Sequence, residues 1–227
     1  MDFTPEDHGR ISRAIAEAES GTSGEIFCVI SRRVSTYRDV RLAWAAGASL
    51  VLPAVLVPMG LTGEWFGLGD GWEIAHAASQ SDEVNRALVA YVLAQVLTFT
   101  GVYLLSVIPF IGRLMVPQRI RRARVRRVAL QQFMAHGLHD TADRTGVLIF
   151  AAMADHEVEV IADTGIYSRT TPEFWGEAVG ALVQGIKRGQ PIEGMEAAIA
   201  LCGGALSEHF PPRDNDINEV PDRLVVL

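Results

Sequence analysis

Two long uncharged stretches dominate the pattern of polar and apolar positions along this chain. Residues 42–63 and residues 87–112 contain no Asp, Glu, Lys or Arg. Each stretch is at least as long as the roughly 20 apolar residues that a helix needs to cross the core of a bilayer. The pattern therefore predicts a two-helix transmembrane hairpin over residues 42–112, with an extracytoplasmic loop over residues 64–86.

Arginines flank both stretches, and their distribution predicts the orientation of the hairpin. Four arginines lie within residues 32–41, the loop over residues 64–86 contains one, and seven follow the second stretch: Arg113, Arg119, Arg121, Arg122, Arg124, Arg126 and Arg127. Because basic flanks tend to stay in the cytoplasm, both termini are expected to be cytoplasmic. The seven arginines are predicted to lie at the membrane surface, where guanidinium groups can bind anionic lipid head groups.

The segments outside the hairpin have the pattern of an α/β domain. A helix is predicted from Thr4-Pro5, and residues 25–30 form an apolar run typical of a strand buried on both faces. Beyond the hairpin, a basic stalk helix over residues 119–139 precedes two strands at residues 147–150 and 157–161, which are expected to form a hairpin. Two more helices are predicted to start at Thr171-Pro172 and at Pro191.

This order of elements predicts a layered α/β domain with a small mixed sheet. Its first helix and strand, residues 1–31, are separated from the stalk and the remainder of the domain, residues 113–227, by the transmembrane hairpin. The N-terminal sequence lacks the basic and then apolar pattern of a signal peptide, so the first span is expected to act as an internal signal-anchor.

The charge and the cysteine content of the chain limit which partners are expected and indicate the redox state of its thiols. The net charge of −7 and the isoelectric point near 5.4 disfavour a nucleic-acid partner. Cys28 and Cys202 both lie in apolar surroundings, so buried and reduced thiols are expected rather than a disulfide framework.

Four segments of the chain resemble the TPM domain family. They are residues 144–150 (RTGVLIF), residues 157–166 (EVEVIADTGI), residues 23–26 (SGEI) and residues 218–222 (NEVPD), the last being similar to the Asn-Glu-Leu-Pro-Asp signature of the family. The resemblance covers residues 1–31 and about 130–226, and it implies a compact α/β sandwich.

The resemblance also implies a choice of roles. Some TPM proteins are described as weak acid phosphatases, some as divalent-metal binders, and others as accessory factors in the assembly or repair of membrane complexes. The better-known members hold the domain in a lumen or periplasm, whereas the arginines here predict a cytoplasmic domain of a bacterial inner-membrane protein. We therefore expect a non-catalytic interaction or assembly module whose partners are the bilayer and another membrane protein or complex. The alternative is a metal-dependent, acid-phosphatase-like phosphohydrolase.

The acidic tail contains the candidate metal ligands. Residues 214–219 (DNDINE) offer oxygen ligands at alternate positions, as calcium loops do, although Glu219 stands where an EF-hand needs Gly. The sequence predicts a weak site for Ca²⁺ or another divalent cation, with these ligands: Asp163, Asp216, Asn218, Glu219 and Asp222. The alternative is a solvated tail whose Asn and Asp side chains cap local turns.

The patterns of common catalytic sites are incomplete. His136 and His139 are three residues apart, but no third zinc ligand is evident, so a helix end that favours cationic side chains explains them better. Cys28 lacks an arginine at the spacing of a cysteine phosphatase, and no Asp-x-Asp motif follows an apolar strand. No catalytic residue and no organic cofactor are predicted.

Overall fold

The computed structural model describes residues 3–56, 81–167, 169, 175–213 and 217–227. These residues form eight α-helices and four β-strands. The helices are α1 (Pro5–Glu19), α2 (Arg38–Leu56), α3 (Ser81–Val107), α4 (Pro109–Met115), α5 (Gln118–Ala135), α6 (Thr164–Tyr167), α7 (Gly176–Arg188) and α8 (Pro191–His209), and the strands are β1 (Glu25–Ser31), β2 (Gly146–Ala152), β3 (Glu157–Ala162) and β4 (Leu224–Val226).

The chain divides into two units, of which one is formed by two separate segments of the chain and the other by a single continuous segment. One unit combines Met1–Thr36 with Gln118–Leu227, and the other is Tyr37–Pro117. The second unit includes residues 42–112, for which the transmembrane hairpin is predicted, and the hairpin itself stays a prediction. α3 begins at Ser81, so residues 81–86, which were predicted as loop, are helical. The rest of the predicted loop lies outside the described residues.

The first unit is built on a mixed sheet with the strand order β3-β2-β1-β4. β1 pairs in parallel with both β2 and β4, while β3 pairs antiparallel with β2. The predicted β2–β3 hairpin and the small mixed sheet are therefore confirmed. β4 was not predicted, because three residues give too short a pattern to recognise.

Helices cover both faces of this sheet. Side chains of α1, α7 and α8 pack on one face together with Ile26, Cys28 and Ile30 of β1. Side chains of α5 pack on the other face together with Phe27 and Val29. Because alternate side chains of a strand point to opposite faces, all seven residues of β1 are buried, as predicted.

Local sequence signals explain where the helices begin and end. Thr4 caps α1 through a capping box in which its hydroxyl accepts from the Asp7 N–H and the Asp7 carboxylate accepts from the Thr4 N–H. Gly189 ends α7 with a φ of 76°, which favours glycine. The predicted start of α8 at Pro191 is confirmed, whereas the predicted helix start at Thr171-Pro172 lies outside the described residues.

The second unit consists of α2, α3 and α4 in the part of the chain that the structure describes. α2 is long and apolar enough to cross a membrane, and only 22% of its most apolar 18-residue segment is buried. Tyr91–Val107 of α3 meets the same criterion only together with α4, from which it is bent by 105°. One or two helices of this unit are therefore long and apolar enough to span a bilayer.

Candidate functional site at the acidic edge of the sheet

Five carboxylates collect at one edge of the sheet. β1, β2 and β4 begin at this edge, and β3 ends there, because β3 runs antiparallel to its neighbour. We call the set formed by Glu19, Glu25, Asp163, Glu219 and Asp222 the acidic edge. The edge therefore combines three of the predicted metal ligands with two glutamates that the sequence did not single out.

Glu25 is the most buried glutamate of the acidic edge and ties the C-terminal segment to β1. Its two carboxylate oxygens accept from the backbone N–H groups of Glu219 and Val220, each at 3.2 Å. The carboxylate of Glu219 accepts in turn from the N–H of Ala142 at 3.0 Å. Backbone donors stabilise the buried carboxylate of Glu25, while Glu219 is exposed, and the contacts of both side chains attach the segment NEVPD to the first unit.

Glu19 adds a proton-binding group beside these anchors. Its Oε1 accepts from the N–H of Ile26 at 2.7 Å, which links the end of α1 to β1. Burial raises the pKa of Glu19 to about 8, the hydrogen bond from Ile26 lowers it, and the charges of Glu25 and Asp222 raise it further. At neutral pH the Glu19 carboxyl is therefore mostly protonated.

Asp163 lies at the opposite end of the acidic edge from the tail. Its Oδ1 accepts from the Thr164 N–H at 2.6 Å, while its Oδ2 is buried without a hydrogen-bond partner among the described residues. Asp163 follows β3 and Asp222 precedes β4, and these are the two outer strands. Three strand spacings of about 4.8 Å separate outer strands, which amounts to roughly 14 Å.

The predicted metal ligands are therefore distributed along the edge rather than gathered at one point. Asn218 donates to Asp222 at 2.5 Å, Glu219 binds the Ala142 N–H, and Asp216 lies outside the described residues. Within residues 3–56, 81–167, 175–213 and 217–227, no three His, Cys, Asp or Glu residues form a group that could hold a metal ion. The described residues thus provide no converged ligand set, and the cation site stays a prediction.

Local sequence patterns offer little indication of the roles of Glu19 and Glu25. Glu25 stands at the head of an apolar strand, and a carboxylate in that position suggests a buried partner. That partner lies 194 residues away in the chain, however, so periodicity and local spacing could not identify it.

The cysteines are buried thiols, as predicted. Cys28 lies within β1, and burial raises its pKa well above the usual value. Burial likewise raises the pKa of Cys202 to about 12. Both side chains are therefore protonated at neutral pH and are unsuited to act as nucleophiles.

The predicted histidine pair divides between two environments. The ring of His136 packs on that of Phe27, with 4.3 Å between the ring centroids. Burial lowers the pKa of His136, and the nearby charge of Arg223 lowers it further. His139 is exposed. His136 therefore belongs to the packing of the first unit.

The seven arginines also fall into groups with different contacts. Arg122 and Arg126 form ion pairs with Glu157 and Glu159 of β3, each at 3.5 Å. Arg124 donates to the hydroxyl of Ser35 at 2.7 Å. The remaining positions include Arg119 and Arg127, which are exposed on α5, and Arg113, which belongs to the second unit. At least three of the arginines thus contact other residues of the first unit.

Comparison with known proteins supports the resemblance found in the sequence. A family model described as the TPM domain matches residues 114–205. The NMR structure of the BA42 protein from the psychrophilic bacterium Bizionia argentinensis is similar to this fold, with a TM-score of 0.56 and 18% identity, and the match covers 100% of this chain and 97% of that chain. At this identity the likeness shows the fold and not an activity. No curated protein matches the sequence.

Proposed function

We propose that this chain, whose residues 114–205 match the family model of the TPM domain, is a membrane-anchored interaction or assembly module without catalytic activity. In this proposal α2 and α3 cross a bacterial inner membrane as a hairpin. Both termini and the TPM domain lie in the cytoplasm, and the partners are the bilayer and another membrane protein or complex. The proposal includes a weak site for Ca²⁺ or another divalent cation on the acidic tail.

The exposed apolar side chains of the second unit are the observation that supports the proposal that α2 and α3 lie in a membrane. Leu50 of α2 is 63% exposed and Leu97 of α3 is 60% exposed, and other large apolar side chains along both helices are similarly open. Soluble proteins rarely expose apolar patches of this extent, because water disfavours them. Lipid acyl chains are the surroundings that match such a surface.

The charges near these helices support the orientation. Arg38 and Arg41 lie in the first turn of α2, while Arg113 follows the apolar part of α3. α5 then begins at Gln118 and continues the basic segment. Arginines at both ends of a hairpin favour the cytoplasmic side, where anionic lipids attract them by about 1 kcal/mol per residue.

The contacts of the acidic edge favour a structural role for the TPM domain. The carboxylates of Glu25 and Glu219 bind backbone N–H groups, and Asp222 binds the side chain of Asn218. The contacts of Glu25 and Glu219 join segments that are far apart in the sequence, as structural carboxylates do. The buried oxygen of Asp163 is the observation that favours the phosphohydrolase alternative, since an unpaired carboxylate oxygen could bind a cation.

Cysteine labelling tests the topology. Ser79→Cys and Arg213→Cys are labelled separately in intact cells with a membrane-impermeant thiol reagent, and the parent chain serves as the control because Cys28 and Cys202 are buried. We expect Ser79→Cys to react from outside and Arg213→Cys to react only after the membrane is opened. The reverse pattern would contradict the cytoplasmic assignment.

Hydrolysis assays distinguish the module from the phosphohydrolase. The full chain in lipid nanodiscs is tested with phosphate esters and Ca²⁺, Mg²⁺ or Mn²⁺, beside the Asp163→Asn variant. We expect equal background rates for both proteins. Turnover that is present in the parent chain and absent in Asp163→Asn would support the phosphohydrolase instead.

A further inference from the structure

The chain changes direction sharply between α3 and α4. The axes of the Tyr91–Val107 part of α3 and of α4 differ by 105°. Gly112 makes the return possible, since a Cβ atom there would lie 2.5 Å from the carbonyl oxygen of Ser106. α4 is therefore packed across the end of α3 and does not continue it.

α4 exposes apolar side chains beside this bend. Phe110 is 80% exposed and Leu114 is 79% exposed, and these are the two most exposed large apolar side chains in the described part of the chain. Residues four apart lie on the same face of a helix, so both side chains belong to one surface. Gly112, between them in sequence, is buried against the rest of the unit.

The start of α2 supplies the groups that usually mark a membrane–water boundary. The indole N–H of Trp44 donates to the carbonyl oxygen of Met115 at 2.8 Å, which satisfies an acceptor at the end of α4. Trp side chains favour the interface because the ring is apolar and its N–H is polar. Arg41, one turn earlier on α2, lies against the backbone of α4 at Gly112.

We propose that α4 is an interfacial helix that lies in the plane of the cytoplasmic leaflet, with Phe110 and Leu114 inserted among the lipid acyl chains. This inference rests on the proposed membrane hairpin and deepens it. If α3 crosses the bilayer near its normal, a helix bent by 105° runs parallel to the surface. The lipid leaflet is the favoured occupant because this apolar face is continuous in sequence with the apolar surface of α3. The opposite side of α4 packs on Arg41 at Gly112, and Trp44 binds the end of α4.

Depth measurements with spin labels test the orientation of α4. Phe110→Cys and Leu114→Cys are each labelled with a nitroxide in the full chain in lipid nanodiscs, and relaxation by oxygen and by a water-soluble nickel complex gives the depth. An in-plane helix predicts the same shallow depth for both labels. A helix that continues the span predicts depths about 6 Å apart, from four residues at 1.5 Å each. The second result, or two labels in water, would overturn the inference.

Two control positions separate this inference from the membrane proposal. Val96→Cys, in the middle of α3, reports whether the helix is embedded, and Lys187→Cys, exposed on α7, reports the aqueous signal. If the Val96 label lies deep in the bilayer while the labels on α4 lie at unequal depths or in water, only the proposal of the interfacial helix is contradicted. If the Val96 label lies in water, both the proposed membrane hairpin and the proposed interfacial helix are contradicted.

A photo-crosslinking experiment provides a second measurement that does not depend on the spin label. Benzoylphenylalanine replaces Phe110 in the full chain, and replaces Lys187 in the control. We expect lipid adducts by mass spectrometry after irradiation at position 110 and none at position 187. Adducts to a protein instead of lipid at position 110 would contradict the assignment of this face to the leaflet.

Discussion

Both oxygens of the Glu25 carboxylate are occupied by backbone donors of the tail, with Oε2 accepting from the N–H of Val220 at 3.2 Å and Oε1 from that of Glu219. This contact joins the first residue of β1 to the segment that precedes β4. These hydrogen bonds lie just before the parallel pairing of β1 with β4, which starts at Cys28 and Leu224, and their contribution to stability can be measured.

We expect Glu25→Gln to lower the free energy of unfolding by about 2 kcal/mol, because hydrogen bonds to a buried charge are stronger than neutral ones. The glutamine amide can accept at only one of its two heavy atoms, so one backbone N–H loses its acceptor. Chemical denaturation of the full chain in nanodiscs measures the loss. Glu17→Gln, at an exposed position of α1, is the matched control. Equal stability of the two variants would contradict the anchoring role.

The pH dependence of stability should report on Glu19. Its pKa is raised from 4.5 to about 8, so the folded protein holds this proton more tightly than the unfolded chain does. The stabilisation is complete below pH about 4.5 and is lost as the pH rises through about 8. Glu19→Gln, which keeps an oxygen for the Ile26 N–H, should remove this decline. Thermal unfolding midpoints between pH 5 and pH 8.5 provide the test.

At each pH, the difference in unfolding midpoint between the parent chain and Glu19→Gln reports on Glu19 alone. The titrations that both proteins share cancel in this difference. His136, whose pKa is lowered, would cause stability to rise as the pH rises through its range. A difference curve that is flat from pH 5 to pH 8.5 would show that Glu19 does not hold its proton in the folded protein.

Two adjacent glycines of α8 should respond in opposite directions to the same change. A Cβ atom at Gly203 would lie 2.6 Å from the Cβ of Ala18 on α1, while at Gly204 nothing lies within 4 Å. Gly203→Ala should lower stability by about 1–3 kcal/mol, because the two helices must separate. Gly204→Ala should raise it by about 0.5–1 kcal/mol, since alanine favours a helix. Denaturation curves of both variants, each against the parent chain, measure the two effects.

The two thiols should be unreactive as long as the chain is folded. Cys28 and Cys202 are buried, and burial raises the pKa of both. Because only the thiolate reacts rapidly, a disulfide reagent at pH 8 should label neither residue in the native protein and both after unfolding. Rapid labelling of the native protein would show that the core around β1 opens locally.

Local patterns predicted much of the first unit. The cap at Thr4, the apolar run of β1, the alternation in β3 and the proline that starts α8 each depend on neighbours within a few residues, so the sequence contained the necessary information. The strand order and β4 depend on pairing between segments that are far apart in the chain. No periodicity reports such pairing.

The candidate site was harder to predict for the same reason. The tail was interpreted as a group of possible ligands, but the contacts of Glu219 are with Glu25 and Ala142, both distant in sequence. The sequence predicts that the arginines of α5 lie at the membrane surface, because a run of arginines that follows an uncharged stretch is a local pattern. Their ion pairs with β3 depend on the packing of α5 on the sheet, which no local pattern reports.

The hydrogen bond between Trp44 and Met115 has a consequence for how the first unit folds. β1 and β2 are neighbours in the sheet although more than one hundred residues separate them in the chain, and that long connection includes the whole second unit. The entropy lost on closing a loop increases with its length, but here the connection is itself fastened near both of its ends. Once Trp44 and Met115 are in contact, β1 and β2 are joined through a shorter effective loop, so less entropy is lost when the two strands pair.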